Sequence, residues 1–248
     1  MSIDNQADLA VLTGSDHSLH RVWDLPVRIF HWTLLLAFVG AYLTHRLGIE
    51  YFKYHLWCGY TVVVLVAFRI VWGVVGPQYA RFTDFLHHPV TAIRYGWDWL
   101  RGREQPFAGH NPLGGLMVVA LLIALFVQAS TGLVANDEIL NTGPLYGYVS
   151  AERSLAFTSL HRQLFYWILA AVILHVLAVV AHLVFKGENL IKAMITGRKH
   201  VHGLARSNAE IDSSRTGLAV VIAALLTVLL SWLIAHAPTV TGPFDSSF

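Results

Sequence analysis

Cysteine is almost absent from this chain: Cys58 is the single one among 248 residues. One thiol excludes an internal disulfide, an iron–sulfur cluster and a thiolate metal cage. No Cys-x-x-Cys-His occurs either, which excludes the covalent c-type attachment of haem. Charge is also scarce. Only 13% of residues are Asp, Glu, Lys or Arg, against 55% hydrophobic, and the mean hydropathy is +0.55. That balance fits neither a disordered chain nor an ordinary soluble domain. A cleaved leader is not expected, because about 26 mostly polar residues precede the first apolar run without a basic n-region or small-residue cleavage site.

Long apolar runs are what the chain has in abundance. Five are long enough to span a bilayer: Val27–Thr44, His55–Val75, Leu113–Ala135, Leu160–Phe185 and Gly217–Ala235. The expected fold is an all-α integral membrane protein, a four-helix transmembrane bundle plus a fifth C-terminal span. Its expected parts are a tail over residues 1–22, a bundle over 23–200, a linker over 201–216, the extra span over 217–237 and an external tail over 238–248. Asp24-Leu25-Pro26 is a helix-opening signal, and Gly76-Pro77 stops the second span. Between spans two and three, Pro89 to Leu100 mixes Val90, Ile93, Trp97 and Leu100 with Arg94 and Asp98. This pattern suits an interfacial amphipathic helix, the alternative being a plain loop.

Orientation follows from the cations. With the N-terminus cytoplasmic, twelve of the seventeen Lys and Arg residues fall inside, three (Arg46, Lys53, Arg153) fall outside, and Arg69 and Arg162 lie within spans. This is the positive-inside pattern of a multi-pass membrane protein. Together with anionic lipid it also accounts for the basic segment Lys186 to Arg215, so no nucleic-acid partner is expected. The outside loop from Asn136 to Thr158 carries Asp137, Glu138 and Glu152 and is the expected dock for an external partner.

Of fourteen histidines, most fall in tails, loops or span ends: His17, His20, His87, His88, His110, His200, His202 and His236. Four differ. His161 and His175 stand fourteen residues apart on the fourth span, close to four helical turns, hence on one face and roughly 21 Å apart along the axis. His31 opens the first span and His55 the second. Depth pairs His31 with His175 near the inner face and His55 with His161 near the outer. Ionisable residues at membrane depth are functional candidates, and neutral imidazole is an axial ligand for haem iron. A lone intramembrane histidine is more often a helix–helix hydrogen-bonding residue, but four matched in two depth pairs point to two haems b. His45, fourteen residues after His31, is by spacing as good an outer ligand as His55. Gly59, one turn after His55, inclines the choice toward His55 by letting a flat ring approach the backbone.

Arg69 and Arg162 are candidate partners for haem propionates, as is Arg28, although each of these could simply snorkel to the interface. His182, two turns after His175, could bind a propionate or a quinone carbonyl, or be an ordinary span-end residue. No catalytic residue is visible.

The segments Val22-Trp23-Asp24-Leu25-Pro26-Val27-Arg28-Ile29-Phe30-His31-Trp32, His55-x3-Gly59-Tyr60, Phe68-Arg69-Ile70-Val71-Trp72-Gly73, Tyr79-Ala80-Arg81-Phe82 and Leu160-His161-Arg162, with His175 and His182, resemble the di-haem b-type cytochromes that serve as membrane subunits of nickel–iron hydrogenases and formate dehydrogenases. They are also similar to the bacterial b(561) cytochromes. The resemblance covers about residues 22–200 and departs at the fifth span. It implies a location in a bacterial inner membrane and ligands on His31, His55, His161 and His175. It further implies electron transfer between a periplasmic redox partner, hydrogenase-like or a c-type cytochrome, and an exchangeable membrane quinone. The expected quinone position is the cytoplasmic end, among Arg69, Trp72, His182 and the Pro89–Leu100 segment. Two rival readings are a stand-alone quinone-linked oxidase of a small reductant such as superoxide, and a haem-free transporter or anchor.

A pyridine haemochrome assay of the purified protein should give about two haems per chain, extractable into acid acetone. A value near one, or haem that resists extraction, contradicts the four-ligand assignment.

Overall fold

The computed structural model describes residues 19–103, 107–138, 141–200, 211 and 213–238. Helices α1 (Leu25–Leu47), α2 (Phe52–Val75), α5 (Pro112–Leu133), α6 (Ala151–Lys186) and α8 (Thr216–Ala235) are the ones long and apolar enough to cross a membrane. Shorter helices α3 (Phe82–Phe85), α4 (Pro89–Leu100) and α7 (Leu190–Thr196) connect them, together with strands β1 (Leu19–Arg21) and β2 (Arg198–His200). The expected all-α membrane bundle is present, and α8 is the fifth span.

Local chemistry sets the helix ends. Asp24 caps α1 through Oδ1, which accepts from the Val27 N–H at 2.7 Å, with Pro26 in the first turn. Asn111 caps α5 in the same way, accepting from the Gly114 N–H at 2.7 Å. The Pro89–Leu100 pattern forms α4 with those bounds, and Val90, Ile93, Trp97 and Leu100 are all exposed on it. The fourth span begins earlier than its apolar run: α6 starts at Ala151, where the Ser150 hydroxyl accepts from the Arg153 N–H. The polar turn from Glu152 to Ser159 is helical because it is anchored laterally. Ser154 donates to the Val134 carbonyl at 2.7 Å, and the Thr158 hydroxyl accepts from the Asn136 N–H at 2.8 Å.

Among the described spans, α1 packs on α2, α2 also on α5 and α8, α5 on α6, and α8 also on α1. Toward α1 and α2, α6 is met through rings instead: Phe165 stacks on Phe38 at 5.9 Å and on Tyr42 at 5.4 Å. An apolar cluster of Ala37, Val62, Val66, Leu125 and Ile168 fills mid-bundle. Ile168 lies midway between His161 and His175 on α6.

The basic end carries a polypeptide cap that the sequence did not announce. Of the expected tail over residues 1–22, the last four residues are described. Residues 19–21 pair antiparallel with 198–200, and the Val22 and Trp23 N–H groups both donate to the Gly197 carbonyl. Gly197 permits this by turning the chain at φ 80° after α7. Ser214 adds a further clamp. Its hydroxyl accepts from Arg21 Nη2 at 2.8 Å and from the Leu25 N–H at 3.3 Å, while Arg215 Nη1 donates to the Val75 carbonyl at 2.9 Å and so closes the end of α2. A pairing between segments nearly 180 residues apart leaves no local trace in either of them. The other domain bounds, in the linker and the C-terminal tail, fall largely outside the described residues.

Gly115 marks a close approach. A Cβ there would lie 2.5 Å from the Phe85 carbonyl oxygen. Gly115→Ala should therefore destabilise the protein by about 1–3 kcal/mol, read as a lower midpoint in thermal unfolding. Gly217→Ala, where a Cβ meets nothing within 4 Å, should leave the midpoint unchanged or raise it.

Candidate haem-binding site

Four half-buried imidazoles face one another in two pairs. The rings of His31 on α1 and His175 on α6 have centroids 6.5 Å apart. Those of His55 on α2 and His161 on α6 lie 6.3 Å apart. Two imidazoles on opposite sides of one iron should have centroids separated by roughly 6 Å, given metal–nitrogen bonds of about 2 Å and about 1 Å from each nitrogen to its ring centre. Both pairs match that spacing. Among the described residues no group of three or more His, Cys, Asp or Glu is placed to cage a metal by itself. Two facing imidazoles and a macrocycle supplying the remaining ligands are the arrangement these residues fit.

Hydrogen bonds orient the second pair. His55 Nδ1 lies 2.9 Å from the Ala41 carbonyl, and His161 Nδ1 lies 2.9 Å from the Gln128 carbonyl. A ring nitrogen facing a carbonyl carries the proton, so Nε2 keeps its lone pair for a metal. The Gln128 side-chain amide lies 3.3 Å from His161 Nε2, and the Thr131 hydroxyl 3.4 Å from its Nδ1. Gly132 seats the same ring, since a Cβ there would stand 2.9 Å from His161 Cε1. At Gly59 a Cβ would meet nothing within 4 Å, so space stays open one turn beyond His55. In the first pair, His31 Nδ1 is buried without a hydrogen-bond partner. His45 is exposed, with its ring 6.0 Å from that of His55.

The other candidates separate. Arg69 is 2% exposed, beside Asp24, and its guanidinium carbon stands 5.2 Å from the Phe82 ring and 5.6 Å from the Phe85 ring. Its Nη1 is buried without a partner, as a group awaiting an anion would be. Arg162 is exposed and is not drawn toward either pair by any described contact, because one residue beyond His161 is about 100° further round the helix. Arg28 donates from Nη2 to the Ile195 carbonyl, tying α1 to α7. His182 packs its ring 5.4 Å from that of Trp99 on α4, and its Nε2 lies 3.5 Å from Asn111 Nδ2. Trp72 is fully enclosed, with its indole N–H directed at Asp24 Oδ2 at 3.3 Å. It offers no face to a diffusible ring, which removes it from the expected quinone position.

Two residues of this end escaped the sequence reading. Asp24 was legible as a helix cap, but not as the buried anion beside Arg69; burial pushes its carboxyl above the usual range. His110 was grouped with ordinary loop histidines. Its ring sits 4.6 Å from Trp23 and 4.6 Å from Phe85, its Nδ1 is buried without a partner, and burial, with Arg69 next, pushes its pKa down to about 3. No spacing rule points to it, since segments distant in the chain bury it.

A membrane bundle with paired imidazoles at two levels defines a class, the haem-binding transmembrane cytochromes. Comparison with known proteins agrees: residues 22–197 match the family model of prokaryotic cytochrome b561, and the chain belongs to that family. It is thus a multi-pass bacterial membrane protein that carries b-type haem and serves electron transport. It is similar to a probable Ni/Fe-hydrogenase B-type cytochrome subunit of Rhizobium leguminosarum bv. viciae, 25% identical over 72% of this chain and 87% of that one. A protein of the same description from Cupriavidus necator is 23% identical over 76% of this chain and 90% of its own. The probable Ni/Fe-hydrogenase 1 B-type cytochrome subunit of Escherichia coli K12 is 25% identical over 74% and 92%. No solved structure matches.

His110 predicts an acid lability. Its pKa in the folded protein lies below that of an ordinary histidine, so between about 6.5 and 3 the unfolded chain binds the proton and the folded one does not. The corresponding stability is fully present above pH 6.5 and is lost progressively as pH falls toward 3. His110→Phe, which keeps the ring, should flatten that part of the pH–stability curve; an unchanged curve would show that His110 is not buried neutral.

Proposed function

We propose that the chain is the membrane cytochrome b subunit of a hydrogenase-type complex, with one haem b held by His31 and His175 and a second by His55 and His161. The two facing imidazole pairs, at 6.5 and 6.3 Å, carry this reading. When bound, haem b supplies reversible one-electron iron chemistry. The residues of this chain hold the two groups at levels roughly 21 Å apart, by helix rise, and exclude water between them with Ala37, Val62, Val66, Leu125 and Ile168. The path therefore crosses most of a hydrocarbon core of about 30 Å.

The distribution of Lys and Arg supports a cytoplasmic N-terminus in the inner membrane, which puts His31 and His175 inside and His55 and His161 outside. Electrons then pass between a periplasmic partner at the His55–His161 end and a membrane quinone at the His31–His175 end. The relatives' descriptions support a hydrogenase as that partner over a stand-alone oxidase of a small reductant. Exposed Glu138 and Glu152 lie on the partner-facing end. For the quinone, His182, Asn111 and Trp99 offer hydrogen-bonding groups beneath α4, and Trp99 Nε1 is buried without a partner.

His31→Ala and His175→Ala should each remove the same haem, and His55→Ala and His161→Ala the other, in spectra and haem counts. Loss of the second haem in His45→Ala with retention in His55→Ala would reassign that ligand. With both haems present, His182→Ala should slow haem reduction by quinol roughly tenfold, the worth of one hydrogen bond. Unchanged kinetics would remove His182 from the site, and a quinone bound at the His55–His161 end would reverse the scheme.

A further inference from the structure

Several buried side-chain atoms at the basic end lack a hydrogen-bond partner among the described residues. Arg69 Nη1 and His110 Nδ1 are two of them, and both residues lie on Phe85. Burying a cationic or imidazole N–H without an acceptor costs as much as losing a hydrogen bond, and more for a charged group. Asp24 is the nearby anion, and its oxygens are turned to other donors: Oδ1 accepts from the Val27 N–H and Oδ2 from the Trp72 indole. The arrangement is a cation with a spare donor, a neutral imidazole with a spare nitrogen, and an apolar floor from Phe85 and Trp23. Such a pocket is built for a carboxylate. Arg69, Lys199 and His175 are the charged or titratable groups close enough to act on His110. Lys199 is engaged by the Phe107 carbonyl at 3.0 Å and by Glu188 at 3.7 Å, which leaves Arg69 as the cation facing the pocket.

We propose that Arg69 and His110 together seat a propionate carboxylate of the haem held between His31 and His175. The inference rests on the ligand assignment above and adds a residue from outside the spans. His110 carries its proton on Nδ1 and donates it to one carboxylate oxygen, and Arg69 Nη1 donates to the same group. The carboxylate supplies the acceptor that the unused donors of Arg69 and His110 lack. Asp24, capping α1, and His110, next to the Asn111 cap of α5, thus couple the closure of the basic end to the presence of the haem.

Redox titration tests this in the haem-loaded protein, with the haem at His55 and His161 as internal control. His175→Ala is measured first. Should both haems persist in it, the ligand assignment and this proposal fall together. Given loss of one haem in His175→Ala, His110→Phe keeps the ring contacts to Trp23 and Phe85 while deleting the donor. The propionate then ionises at higher pH, so the pH-dependent fall in the potential of the His31–His175 haem should move upward by about one pH unit. His110→Asn, which restores an N–H, should move it back toward the wild-type position, and Arg69→Gln should weaken retention of that haem alone during gel filtration. If His110→Phe loses both haems it has failed to fold, and Arg69→Gln then decides: selective loss of the His31–His175 haem in gel filtration supports the seat, and equal retention of both haems overturns it. Unchanged pH dependence in His110→Phe with both haems bound overturns the proposal and leaves the ligand assignment intact.

Discussion

Everything in this bundle depends on the separation between α6 and the α1–α2 pair. Two helices of a membrane protein normally close on each other through small residues, because lipid provides no hydrophobic push and close van der Waals contact is the main attraction. Among the described spans, α6 packs most extensively on α5. Toward α1 and α2 it presents His161, Phe165, Ile168 and His175, and is met by rings from the other side. Side chains of that size hold the backbones apart at two levels and let them be filled by Ile168 in between. The gap is thus a property of side-chain volume, and the imidazoles line it at both levels.

The two levels are supported by different means. Around His55 and His161, the carbonyls of Ala41 and Gln128 hold the rings and fix their protons. These bonds come from helix backbones whose carbonyls are opened to a side chain of a neighbouring span. Around His31 and His175 support comes from outside the spans. The Asp24 cap, the α3 aromatics, His110 and the β1–β2 ladder close over that end and bury Arg69 among them. The asymmetry matches the asymmetry of charge, since the cap is assembled from the basic connections.

Much of this was legible beforehand, because a bilayer imposes strict rules. Span number follows from apolar run length. The α4 helix was readable from its apolar spacing and confirmed with the same bounds. The pairing of His31 with His175 was readable from fourteen-residue periodicity and the alternation of span direction, whereas spacing left His45 and His55 equal as the partner of His161. One residue expected beside the quinone is enclosed instead. Trp72 appeared available because its residue type and depth were suitable, yet its indole is sealed against Asp24.

The amino-acid sequence by itself determined the class of protein, the five spans and the depth of each histidine, because helix rise and hydrocarbon thickness convert residue numbers directly into depth. What only the tertiary structure decided is rotational and long-range. His45 is exposed while His55 turns to His161, Arg162 is exposed while Arg69 is enclosed, and His110 is packed by the rings of Trp23 and Phe85 from segments far from it in the chain. Depth is a one-dimensional quantity that a sequence carries along its length. The facing of a side chain is set by which neighbours pack against its helix, and that information belongs to no single segment.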